Sequence, residues 1–149
     1  MYQKRTFLQN IFNQKNASAI TLKQINWGHF ISSDLLHWEE QIPAISPDKD
    51  YDHAGIWSGH AIIDDAGKPM IIYTCGGDTT GVGLASPVGD SLLIWNKYEG
   101  NPVIKAPAPG YSRTDMRDQY VFKDNGCWYM IIGYGVDGNN AHGLLPLYK

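Results

Sequence analysis

No run of about 18 consecutive apolar residues occurs in this chain, so it contains no helix of the usual membrane-spanning kind. Basic excess is missing too: 12 Lys and Arg face 15 Asp and Glu, for a net charge of −3. Such a balance offers no positive surface to a nucleic-acid backbone or an anionic membrane, and neither is expected as a partner. Cysteine is scarce. Cys75 lies in an apolar run and Cys127 at a turn edge; they pair only if strand order brings them together, and buried free thiols are the commoner case. The polar start Met1-Tyr2-Gln3-Lys4-Arg5 lacks the pattern of a signal peptide. There is no low-complexity tract, and Pro107-Ala108-Pro109-Gly110 marks a loop rather than a domain boundary. Sustained 3.6-residue apolar periodicity is absent, which argues against helices.

What the chain does contain is a series of short β-rich runs: Phe7–Phe12, Trp27–Ser32, Gly59–Ile63, Met70–Thr74, Val82–Ser86, Tyr120–Phe122 and Trp128–Ile132. Clusters of Gly, Asp, Asn and Pro separate them, the pattern of an all-β protein. The runs also repeat. Ser58-Gly59-His60-Ala61-Ile62-Ile63-Asp64-Asp65-Ala66-Gly67 lies over Arg117-Asp118-Gln119-Tyr120-Val121-Phe122-Lys123-Asp124-Asn125-Gly126 at a spacing of 59 residues. A second echo, Asp34-Leu35-Leu36-His37-Trp38 on Ser91-Leu92-Leu93-Ile94-Trp95, has a spacing of 57. Periods of this size indicate stacked supersecondary units.

Repeated four-strand units point to a β-propeller. At one blade per 59 residues the chain holds about two and a half blades, whereas propellers close with about 4 to 8, so an incomplete arc is expected. Open blade edges in such an arc favour self-association. The alternative is an open two-sheet sandwich that owes its repeat to duplication.

Inner strands of a propeller converge on a central funnel, so the heads of repeated strands are candidate ligand sites. Adjacent Arg117 and Asp118 at such a head suit a polyhydroxylated ligand: the carboxylate accepts from hydroxyls and the guanidinium donates to oxygens. The plainer alternative is a solvated strand end partnered by Asp115 and Arg113. Trp57, beside Ser58, either lines a sugar site or fills a core. The clusters Asp48, Asp50, Asp52 and Asp64-Asp65 read as solvated turn residues. His29, His37, His53 and His142 show no metal-ligand spacing, and no metal is expected.

Three segments together carry a family resemblance. Trp27-Gly28-His29-Phe30-Ile31-Ser32-Ser33-Asp34-Leu35-Leu36-His37-Trp38, then Gly55-Ile56-Trp57-Ser58-Gly59, then Arg117-Asp118 resemble in order and spacing glycoside hydrolase family 32, the invertases, levanases and inulinases. Phe12-Asn13-Gln14-Lys15-Asn16 stands where that family has a Phe-Tyr-Gln-Tyr-Asn strand. The resemblance implies a five-bladed propeller that cleaves β-fructofuranosidic bonds of sucrose or fructans with retention and needs no cofactor. It implies Asp118 as transition-state stabiliser, Arg117 orienting it, and Gln14, Trp57 and Ser58 contacting fructose.

The family's other two acids, a nucleophilic Asp in an N-D-P-N-G segment and a general-acid Glu in an E-C segment, have no counterpart in these 149 residues. A retaining mechanism needs both, about 5–5.5 Å apart. Residues 1–149 are therefore expected to be a partial propeller catalytic domain lacking the first catalytic strand and the later blades. On that expectation the isolated chain is an inactive segment of a glycoside hydrolase, or else a non-catalytic sugar-binding remnant. Three departures stand inside the resemblance: Gln119 replaces the Pro that follows Arg-Asp, His60 replaces a Ser, and Leu22 replaces a Trp. His60 is either a substrate contact or a space-filling residue beside the inner strand.

Overall fold

The computed structural model describes residues 5–13, 24–112 and 115–149, and these form strands with a single turn of 3-10 helix at Asp50–Asp52. In chain order the strands are β1 (Arg5–Asn13), β2 (Gln24–Ser32), β3 (Glu39–Ile45), β4 (Gly55–Ile63), β5 (Pro69–Gly76), β6 (Gly81–Pro87), β7 (Trp95–Lys97), β8 (Met116–Asp124), β9 (Cys127–Val136), β10 (His142–Leu144) and β11 (Leu147–Tyr148). They make three antiparallel sheets. The first runs β1-β2-β3 and the second β4-β5-β6-β7; in the third, β9 pairs with β8 on one edge and with β10 and β11 on the other.

The last two strands are one strand in two pieces. Leu144 sits opposite Tyr134 and Leu147 opposite Ile131, so the register runs on unbroken through Leu145-Pro146. Pro146 has no N–H to give to the ladder, and only its carbonyl takes part, accepting from the Ile132 amide at 3.3 Å.

Packing decides between an arc of blades and a sandwich. Along β5 the consecutive residues Ile71 to Gly76 are all buried, so both faces of the middle sheet are covered. Ile71, Tyr73 and Cys75 belong to one core with Trp27, Ala44, Ile45 and Ile56, which joins the first sheet to the second. Ile72, next to them, joins Val82, Met116, Ile132 and Tyr134 in a separate core between the second sheet and the third. Alternate side chains of a strand point to opposite faces, so β5 feeds both cores. A two-sheet sandwich has one core; this chain has two side by side, the stacking of propeller blades.

Polar staples cross the same boundaries. The Trp27 indole N–H donates to the Trp57 carbonyl at 3.0 Å. Lys97 of β7 bridges from its own sheet to the end of β3, donating to the Ser46 carbonyl at 2.7 Å and to the carboxylates of Asp48 and Asp52. Asp52 is fully buried, which corrects the expectation that it is a solvated turn residue. Its other oxygen accepts the backbone N–H groups of Asp48 and Lys49, and burial is offset by this full set of partners. Asp64 and Asp65 do lie at a hairpin turn, where Asp64 Oδ1 accepts the amides of Ala66 and Lys68. Both cysteines are free, Cys75 being buried.

Candidate functional site

Strands β4 and β8 occupy equivalent places, each at one edge of its sheet and packed against the other. Each also carries a β-bulge near its head. In β4, Ile56 faces Cys75 and Gly59 faces Tyr73, so Trp57 and Ser58 together oppose Thr74. In β8, Arg117 faces Gly133 and Tyr120 faces Ile131, so Asp118 and Gln119 together oppose Ile132. Bulges bend a strand and re-aim the side chains on it.

The bulges also correct the overlay read from the sequence. Gly59 and Tyr120 hold the same place after the bulge, so Trp57 corresponds to Asp118 and Ser58 to Gln119, two positions on from the 59-residue match. The cause is the hairpin that follows: the β4–β5 turn is longer than the Asn125-Gly126 turn between β8 and β9. Matching the turns, as the sequence does, shifts the strand heads out of step.

The bulge in β4 demands glycine. A Cβ on Gly59 would lie 2.1 Å from the Ile72 carbonyl oxygen, a backbone atom that cannot move aside. Trp57, half-buried, lays its indole on Gly76, where a Cβ would meet Nε1 at 2.5 Å. Its Nε1 is buried with no hydrogen-bond partner among the described residues. Ser58 is exposed. His60 is half-buried, with its ring 4.5 Å from that of Tyr120, and so fills the junction of β4 and β8.

Asp118 is exposed and takes a left-handed backbone conformation, φ +59°. Aspartate tolerates this region better than most residues, but it is still uncommon. Two hydrogen bonds stand behind it. The Asp118 amide donates to Thr74 Oγ1 at 3.3 Å, and the Thr74 hydroxyl donates to Gln119 Oε1 at 2.8 Å. Thr74 and Gln119 are both buried. Arg117 is exposed and forms its ion pair with Asp115, at 3.0 Å, while no ion pair joins it to Asp118 among the described residues. Backbone and threonine, not the guanidinium, hold Asp118.

Asp115, Arg117 and Asp118 line a cleft of about 480 Å³ together with Tyr134, Leu144 and Leu145. Trp57 and Ser58 are not in its lining. Gln14 lies outside the described residues. A larger cleft of about 660 Å³ lies beside Lys97 and Asp48, which are paired with each other, and is also lined by Lys49 and Glu99. Sequence reasoning missed Thr74, although an aliphatic hydroxyl inside the largely apolar run Met70-Ile71-Ile72-Tyr73-Thr74-Cys75 was the available signal.

The sequence profile of the glycosyl hydrolases family 32 N-terminal domain matches residues 2–149. The chain belongs to glycosyl hydrolase family 32. An acid beta-fructofuranosidase of Capsicum annuum is 40% identical over 134 residues, 83% of this chain and 20% of that protein. A 6(G)-fructosyltransferase of Asparagus officinalis is 34% identical over 158 residues, 99% of this chain and 25% of that protein. Among solved structures, fructan 1-exohydrolase IIa from Cichorium intybus superposes with a TM-score of 0.76 at 30% identity, covering 99% of this chain and 28% of that one. The chain thus spans about a fifth to a little over a quarter of these family 32 relatives. Its three sheets are an incomplete arc of a five-bladed β-propeller.

Proposed function

We propose that this chain is a segment of a family 32 glycoside hydrolase for β-fructofuranosidic bonds in sucrose or fructans, with Asp118 as the carboxylate that grips fructose hydroxyls. The observation that carries the reading is the bulge-borne Asp118 at the lip of the cleft it lines with Asp115 and Arg117. An exposed carboxylate on a fixed backbone is a ready acceptor for two sugar hydroxyls, and hydrogen bonds to a charged group are the stronger kind. Trp57 and Ser58, outside the lining of that cleft but on the matching bulge of the neighbouring strand, are the groups proposed to contact the same fructose. Residues 1–149 act as one part of the catalytic domain.

One of three required carboxylates does not make a retaining glycosidase, because members of an interdependent catalytic set leave only residual effects when the others are gone. The isolated chain is a sugar binder without turnover. Incubation with sucrose or levan is expected to release no fructose above a blank. Release that is abolished in Asp118→Asn would show that another carboxylate has taken the nucleophile's place, and would overturn the reading.

A second copy of the chain is the further partner. Tyr120, Ile131 and Leu147 form one cross-strand row on the face of the third sheet away from the core, with Tyr120 54% and Leu147 59% exposed. An uncovered apolar blade face favours association.

A further inference from the structure

We infer that Thr74 and Gln119 form a positioning device that holds Asp118 in its left-handed conformation. Gln119 stands where the resemblance has the proline after Arg-Asp. The sugar-binding consequence rests on the reading of Asp118 above; the conformational part does not.

A threonine hydroxyl has one proton to give and two lone pairs to accept with. Gln119 Oε1 takes the proton at 2.8 Å, which fixes the hydroxyl rotor and turns a lone pair toward the Asp118 amide, 3.3 Å away. All three residues belong to one junction: Thr74 lies in β5, two residues before its end, and Asp118 and Gln119 are the two bulge residues of β8. The bond therefore crosses from one blade to the next. Thr74 is fully buried and Gln119 is 2% exposed, so the pair is shielded from competing water.

Residue 119 also matters through its backbone. A proline disfavours the right-handed α region for the residue before it and pushes that residue toward extended φ and ψ. Asp118, at φ +59°, is not extended. Glutamine at 119 leaves the preceding residue free to turn left-handed and supplies the side-chain oxygen that anchors the turn. Glutamine thus supplies a buried hydrogen-bonded restraint on a conformation that a proline at 119 would oppose.

The test uses the full 149-residue chain, isotope-labelled, with three readouts: the nuclear Overhauser effect between the Asp118 amide and its own Hα, hydrogen exchange at that amide, and binding of 1-kestose. In the unmodified chain a left-handed Asp118 gives a strong intraresidue effect; a weak one overturns the inference. Thr74→Val removes the hydroxyl at constant shape and is expected to speed Asp118 exchange about tenfold and to weaken 1-kestose by a similar factor. Thr74→Ser keeps the hydroxyl and restores both.

Gln119→Pro is expected to abolish the strong intraresidue effect, and it serves as the second variant should Thr74→Val fail to fold. Unchanged exchange in Thr74→Val, or a Thr74→Ser that behaves like Thr74→Val, overturns the device. If no version binds 1-kestose, the sugar reading fails, and the exchange and Overhauser results still decide the conformational claim.

Discussion

Buried polar side chains carry much of the information at the level of single residues. The Thr74 hydroxyl donates to Gln119 Oε1 across a blade boundary, leaving Gln119 Nε2 buried with no partner among the described residues, and Lys97 pairs with Asp52 across the other boundary. His29 is different. It is fully buried in β2, and neither ring nitrogen has a partner among the described residues. Burial disfavours the imidazolium and pulls its pKa below 6.5. In the unfolded chain the same ring takes up a proton near pH 6.5, so the unfolded state binds more protons between that value and the folded one. Stability is therefore complete above about pH 6.5 and is lost as the pH falls toward the folded-state value.

Asp34 and Asp48, whose pKa values are lowered by His37 and Lys97 respectively, act only below 3.8 and leave that window clear. Thermal unfolding followed from pH 7 to pH 5 should show a falling midpoint in the unmodified chain and a flatter profile in His29→Phe. Equal slopes would assign the acid sensitivity elsewhere.

At the scale of elements, each strand read from the sequence lies inside an observed one, because alternating or continuous apolar runs bounded by turn residues are strong signals. The strands that went unread are weak in the same terms. β3 opens with the exposed Glu39 and Glu40 and carries Pro43 where its pairing with β2 slips between Trp27 and His29. β10 and β11 are short and separated by Pro146, and only their common register shows them to be one strand.

The site was legible in part. The repeat singled out Ser58 and Arg117-Asp118 as candidates and the family resemblance added Trp57, but the correspondence of the two strand heads depends on two bulges. A bulge adds a residue without changing composition, so periodicity cannot reveal it. Arg117 was read as the residue that orients Asp118, whereas its ion pair goes to Asp115. Thr74, which does contact the Asp118 backbone, sits 44 residues away in a different blade.

At the scale of the whole molecule, β5 is the keystone, since its two faces serve two separate cores. The third sheet has no such second neighbour among the described residues. Its uncovered face presents Tyr120 and Leu147, with Leu145, 75% exposed, two residues before Leu147 on the same interrupted strand. Light scattering on the purified chain is expected to give a mass above that of a monomer and rising with concentration. Tyr120→Lys with Leu147→Lys should lower it toward 16.6 kDa. A monomer at all concentrations would remove the second copy as a partner.

The central claim is that the heads of β4 and β8 converge on one fructose-binding edge of a propeller arc. It is tested most directly by residue-resolved titration of the labelled chain with 1-kestose. The account predicts saturable shifts at Trp57-Ser58 and at Arg117-Asp118 with one common dissociation constant, weakened at least about tenfold in Asp118→Asn, the scale of a hydrogen bond to a charged group. Shifts at only one of the two strand heads, shifts centred on the Lys97 cleft, or no shifts at all would contradict it.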